Sequence, residues 1–245
     1  MKLTADYHVH STYSRRNHGK STIEEIVLTA MEKNLKEIAI TDHGPKHYMY
    51  GIYEHKIKEA KDIVIELRKK YPQIKILLGV ESNILDFSGT TDITEEVKKY
   101  CDIILCGYHM GALFSTAGDA WKFTVMNKLG SKNKKIYEDM KHKNSQAVAN
   151  ALKRYKINIL THPGDKIPLD IDVIAKVAEK TGTMLEINNS HGHLNPEEIK
   201  IASKYDVKFV INSDSHVKEN IGSFENGLKA ARAAGLDLNR IINLE

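Results

Sequence analysis

Short β-branched runs alternate along the chain with longer stretches in which apolar residues recur every three or four positions. "IAI" leads into "TDHG", "IKILLGV" into Glu81, "DIILCGY" into His109 and "INILT" into His162, and "GTMLEIN" and "VKFVINS" follow. Helical period marks Thr22–Lys33, Tyr53–Lys70, Ile136–Tyr155, Ile171–Lys180 and Pro196–Tyr205. In the first of these, Ile23, Ile26, Val27 and Ala30 share one face, while Glu24, Glu25 and Lys33 lie elsewhere. With the opening run Leu3–His10, the pattern predicts seven strands alternating with helices. Strand then helix at roughly 30 residues per unit is the pattern of parallel βαβ connections. No Pro/Gly/Ser-rich linker divides the units, so one domain spanning 1–245 is expected.

The residues that end these apolar runs decide between two architectures. In order they are His8 and His10, Asp42 and His43, Glu81, His109, His162, Glu186 and His191, and Asp214 and His216. An open doubly wound sheet serves its crevice with a few strand ends. A closed barrel gathers every carboxyl end around one mouth. Chemistry in phase at all seven ends favours the barrel.

Spacing adds to this. Residues two apart in a strand point to one side, their β-carbons roughly 7 Å apart. His8 and His10 can therefore converge on one cation while Val9 faces the packed side, and Asp214 and His216 repeat the arrangement. Imidazole with carboxylate suits zinc, manganese or iron, whereas magnesium and calcium favour all-oxygen sites. Alone, an HxH pair is more often structural than ligating, and a strand-end Glu is usually solvated. It is their joint phase that points to metal, and to more than one ion.

Composition changes this picture little. An apolar fraction of 41% supports a sizeable core, and a net charge of +4 from 36 basic and 32 acidic residues argues neither for nucleic acid nor for an anionic membrane. Cys101 and Cys106 make no disulfide framework, which favours a reducing compartment. No signal-like h-region or bilayer-length apolar run is present, so a cytoplasmic protein is expected.

The motifs "YHVHST", "IAITDHGPKH", "GVESNI", "GYHM", "THPGD", "LEINNSH" and "SDSH", in this order, resemble the PHP (polymerase and histidinol phosphatase) family over almost the whole chain. The wording is most like its YcdX-type phosphatase branch. The resemblance implies a distorted TIM-like (β/α)7 barrel with three divalent ions, zinc first, with manganese or iron as alternatives. Carried over by motif, His8, His10, Glu81 and Asp214 would hold one ion. Glu81 would bridge to a second ion on His109 and His162, and His18, His43 and His216 would hold a third. The segment between His10 and His18 is longer than the family pattern.

The expected catalytic set is Glu81, Asp214, His216 and Asp42, with Asp42 orienting a ligand histidine. Arg15, Lys46, His47 and His191 are the candidate substrate contacts; Arg16, Lys166 and Lys218 also lie in rim loops, where a solvated surface charge is the commoner case. Gly111–Lys135, with the only tryptophan, is expected to be a long loop, either a lid or a plain excursion. Three ions against two ligand carboxylates leave a positive site that draws anions. Hydrolysis of a small phosphorylated metabolite by a metal-bridging hydroxide follows as the expectation. The alternatives are histidinol phosphate specifically, a 3′-end nuclease, an amidohydrolase-like C–N hydrolase or a noncatalytic scaffold. The near-neutral charge disfavours nucleic acid, and the oligomeric state is left open.

Overall fold

Lys75–Asn83 (β3) shows how the sequence builds the fold. Ile76, Leu78 and Val80 join a core of 50 buried residues, whereas Leu77 packs against a separate five-residue cluster of Ala39, Ile103, Leu105, Ile159 and Val210. Alternate residues of one strand thus face opposite sides, as the period of two requires. The computed structural model describes residues Met1–Glu245. Its other strands are Ala5–Asp6 (β1), Glu37–Ile40 (β2), Ile103–Gly107 (β4), Ile159–Leu160 (β5), Met184–Asn188 (β6) and Phe209–Asn212 (β7). They lie in the order β1 to β7, every adjacent pair parallel.

The sheet curls into a nearly closed barrel. At the mouth, Val9 and Ser215 form a parallel bridge, with His10 N–H donating to Ser215 O at 2.8 Å. Lower down, a side chain replaces strand pairing. The buried Asn243 Nδ2 donates to Ala5 O (2.8 Å) and Ile211 O (2.7 Å), and its Oδ1 accepts from Ile211 N–H (3.1 Å). β1 is shorter than Leu3–His10 because Thr41 Oγ1 inserts there, accepting from Val9 N–H and donating to Tyr7 O. Val9 does face the packed core.

Helices Ile23–Glu32 (α1), Ile57–Lys70 (α2), Lys134–Arg154 and Ile171–Thr181 fall close to the periodic segments. A capping box on Thr22 and Glu25 starts α1, satisfying backbone donors at its open end. The segment expected to be a loop, Gly111–Lys135, is instead largely helical, with a π-turn at Lys122–Met126 between two short α-helices. Phe123 explains it: the ring is buried and stacks on Phe87 at 4.0 Å, anchoring the excursion to the body of the protein.

Candidate metal centre

The carboxyl ends of the strands carry a dense cluster of buried imidazoles and carboxylates, and its geometry begins at His8. His8 is fully buried, and its Nδ1–H faces Glu186 Oε1 at 2.8 Å. With that nitrogen engaged, the Nε2 lone pair points into the cluster, 3.3 Å from Glu81 Oε2 and 3.4 Å from Asp214 Oδ1. His109 repeats the device, with Nδ1 on Asn83 Oδ1 (2.8 Å) and Nε2 at 3.1 Å from Glu81 Oε1. So does His216, with Nδ1 on Asp214 O (3.1 Å) and Nε2 at 2.8 Å from His18 Nε2. Three rings therefore turn lone pairs toward other acceptors.

Glu81 is the hub. Its carboxylate meets His43 Nδ1 at 2.9 Å and His162 Nε2 at 2.9 Å, and accepts from Thr161 Oγ1 at 2.8 Å. Asp214 lies 3.3 Å from His10 Nε2, and His18 Nε2 lies 3.3 Å from His43 Nε2 while its ring stacks on Tyr50. All nine expected ligands are thus gathered at one mouth.

Three overlapping groups have donor atoms close enough for one ion: His10, His43 and His216; His8, His10 and Glu81; and His43, Glu81 and His109. Four buried atoms of the cluster, His10 Nδ1, His43 Nδ1, Glu81 Oε2 and His109 Nε2, have no hydrogen-bond partner. Orphaned buried acceptors at such spacing are costly unless cations lie between them. The donor set fits borderline divalent metals.

Electrostatics agree. Burial pushes His10 down to about 3 and His43 well below the usual imidazole range, which keeps both rings neutral and ligand-ready. Burial opposes ionisation of Glu81 and Asp214, yet the adjacent histidines outweigh it and hold both carboxyls well below their ordinary values. His8 moves the other way, because Asp214, Glu81 and Glu186 overcome the effect of burial. Asp214 and Glu81 face the Nε2 side, where a metal would take the place of that proton, while Glu186 engages Nδ1.

Backbone conformation is also committed to this site. Six non-glycine residues have left-handed φ, and five of them flank the cluster: Arg16 (55°), Asn17 (56°), His162 (28°), Lys166 (62°) and Asp214 (53°). Such strain persists only where the surrounding structure holds it. Gly107 has the opposite role of making room. A Cβ there would lie 2.3 Å from Thr161 Oγ1 and 3.0 Å from the His162 ring.

Above the cluster is a cavity of about 460 Å3, into which His47, His191 and Lys166 project together with Tyr50, Met49 and Met110. Of the four expected substrate contacts, His47 and His191 line it and two do not. Arg15 is committed elsewhere, its guanidinium donating at 2.5 Å to both Gly51 O and His47 O. Lys46 has its backbone pinned by Asp92 and Leu113, and its side chain is exposed outside the cavity.

Asp42 is a further correction. It accepts from Ser11 N–H (2.7 Å), Ser11 Oγ (2.6 Å) and Ser14 Oγ (2.5 Å), so it ties down the loop after β1 and orients no imidazole. The orienting carboxylate is Glu186. Its Oε1 also accepts from Asn212 and its Oε2 from His162 N–H and Asn188. Its position at the end of an apolar run was the available signal. Asn83 had none beyond its place two residues after Glu81.

A family model described as PHP domain matches residues 6–233. The chain belongs to the PHP family. It is 32% identical to a probable phosphatase of Thermoanaerobacter sp. (strain X514) over 258 aligned positions, covering all of this chain and 92% of the relative. A probable phosphatase of Acetivibrio thermocellus is 27% identical, covering 99% and 92%. Among solved structures, histidinol phosphate phosphatase from Lactococcus lactis, complexed with zinc, L-histidinol and phosphate, superposes with a TM-score of 0.65. Identity is 14%, over 96% of this chain and 94% of that one, and the likeness establishes the barrel fold.

Proposed function

We propose that this PHP-family phosphatase hydrolyses a small phosphomonoester at a trinuclear divalent-metal site, with residues 1–245 acting as one domain. The observation that carries the reading is the inward aim of lone pairs from His8, His109 and His216 onto Glu81, Asp214 and His18. His8, His10, Glu81 and Asp214 would hold one ion, Glu81, His109 and His162 a second, and His18, His43 and His216 a third. Bound there, the metals supply an activated water and neutralise phosphoryl oxygens.

The chain's own residues would do the rest. Lys166 is the only lysine or arginine on the cavity wall, and its Nζ rests 3.0 Å from Asp165. A phosphoryl dianion entering the cavity would compete with that carboxylate for the ammonium. His191 sits between Asp214 (3.2 Å) and Asp165 (3.7 Å), so a proton on either ring nitrogen faces a carboxylate. On this reading it would give a proton to the departing alkoxide. Met49, Tyr50 and Met110 supply the apolar part of the cavity wall. A cavity of about 460 Å3 suits a small metabolite rather than a polymer.

Metal counting by mass spectrometry, followed by a phosphomonoester panel that includes histidinol phosphate, tests the reading. Near three equivalents of metal and turnover of at least one monoester are expected. A metal-replete protein inert across the panel would overturn it.

A further inference from the structure

His8 and His109 are both held at Nδ1, but by different chemistry. Glu186 is a carboxylate and only accepts, so the His8 nitrogen that meets it must carry the hydrogen. Asn83 meets His109 Nδ1 with an amide, which has one accepting end and one donating end. Turned one way, the amide requires Nδ1–H and leaves the His109 Nε2 lone pair facing Glu81. Turned the other way, it requires the opposite tautomer and places a hydrogen where the lone pair was. The orientation of the amide therefore decides whether His109 can be a ligand.

Asp92 chooses that orientation. It is 1% exposed and lies before the short helix Glu95–Tyr100, nine residues after Asn83. Its Oδ2 accepts from Asn83 Nδ2 at 2.6 Å and from Lys46 N–H at 2.9 Å. Its Oδ1 accepts from Asn83 N–H and from Ser82 Oγ, each at 2.6 Å. A carboxylate so placed offers the Asn83 side chain only an acceptor. The NH2 end must then face Asp92, and Oδ1 must face His109.

The same carboxylate fixes the turn after His43. Besides taking the Lys46 N–H, it packs on Gly44 so closely that a Cβ there would lie 2.5 Å from Oδ2. Gly44 N–H in turn donates to Glu81 O at 2.7 Å. One buried loop carboxylate thus ties together the segments that carry His43 and Glu81 while setting the amide behind His109.

We infer that Asp92 is a positioning residue of the metal centre: through Asn83 it fixes His109 as the Nδ1–H tautomer, leaving Nε2 free to take a metal. The inference rests on the trinuclear reading above in treating His109 as a ligand. It adds to that centre a residue that hydrogen-bonds to no imidazole.

The test reads which ring nitrogen carries hydrogen, by long-range 1H–15N correlation on protein with 15N-labelled histidine. In zinc-loaded wild type, His109 Nδ1 should carry it; a bare Nδ1 overturns the inference before any residue is changed. Asp92→Ala frees the amide to turn. The metal-free variant should show both His109 tautomers, and its zinc affinity in a chelator competition should fall about 10–100-fold. A weaker site with the ring still wholly Nδ1–H would make Asp92 a structural support only, and overturns the inference. Where the alanine variant does not melt cooperatively, Asp92→Asn keeps the volume; its own amide also lets Asn83 turn, so both tautomers should again appear.

Adding Asn83→Asp to Asp92→Ala separates orientation from support. His109 then meets an acceptor whichever way the side chain turns, as His8 does at Glu186, while the bonds to Lys46 and Ser82 stay lost. The double variant should regain the Nδ1 hydrogen and most of the zinc affinity, with its melting temperature still lowered. Recovery of neither overturns the inference. Should the protein turn over no phosphomonoester while the His109 tautomer still depends on Asp92, the proposed function fails and the positioning role stands.

Discussion

The two faces of β3 obey different rules. Outward, Ile76, Leu78 and Val80 pack under helices, and any branched residue of similar volume would serve. Inward, the strand runs from Leu77 through Gly79 to Glu81, from an apolar plug to a carboxylate that four histidines approach within 3.3 Å. Two other strands show the same gradient: Met184 gives way to Glu186, and Val210 to Asn212 and Asp214. Burial alone decides the outer face. Direction decides the inner one, because a lone pair acts along a line and an apolar surface does not.

The largest effect should come from breaking the inner face at its hub. Glu81→Gln keeps the shape of the side chain but removes its charge from His8, His43, His109 and His162. Turnover should fall on the order of a thousandfold, with metal content reduced and the circular dichroism melt still cooperative. Unchanged turnover would erase the contrast between the faces.

Next, Leu78→Ala on the outer face should cost about 2–5 kcal/mol in urea unfolding, with activity per bound metal retained in the folded fraction. A specific loss of metal instead would mean that the faces are not independent. Asn243→Ala deprives two backbone carbonyls and one N–H at the barrel seam of their partner. It should lower stability by about 3 kcal/mol, read by the same unfolding curve.

The smallest expected effect sharpens the comparison. Glu186→Gln sits on the inner face but one step back from the cluster. It should weaken metal affinity by about 10–100-fold in a chelator competition, without unfolding the protein. An effect as large as that of Glu81→Gln would place Glu186 among the direct ligands.

The seven-strand alternation and the chemistry at every strand end were legible because both are local: period two fixes which side chains share a face, and the end of an apolar run marks the mouth. Asp42 and Glu186 were indistinguishable on those grounds, since each is a carboxylate at a strand end. Only the closed barrel separates them, by placing Glu186 against His8 across 178 residues while Asp42 meets the serines of the neighbouring loop. Arg15 was misread for the same reason. A long cation in a rim loop looks free until the carbonyls of Gly51 and His47 are brought to it.

By itself, then, the sequence determined the fold class, the outer core and the identity of the donors crowding the mouth, because hydrophobic period and covalent spacing act over a few residues. The tertiary structure alone decided which carboxylate orients which histidine, how Asn243 completes the barrel and which end of the Asn83 amide faces His109. Hydrogen bonds and lone pairs depend on distance and angle through space, and those are set only when strands far apart in the chain come together.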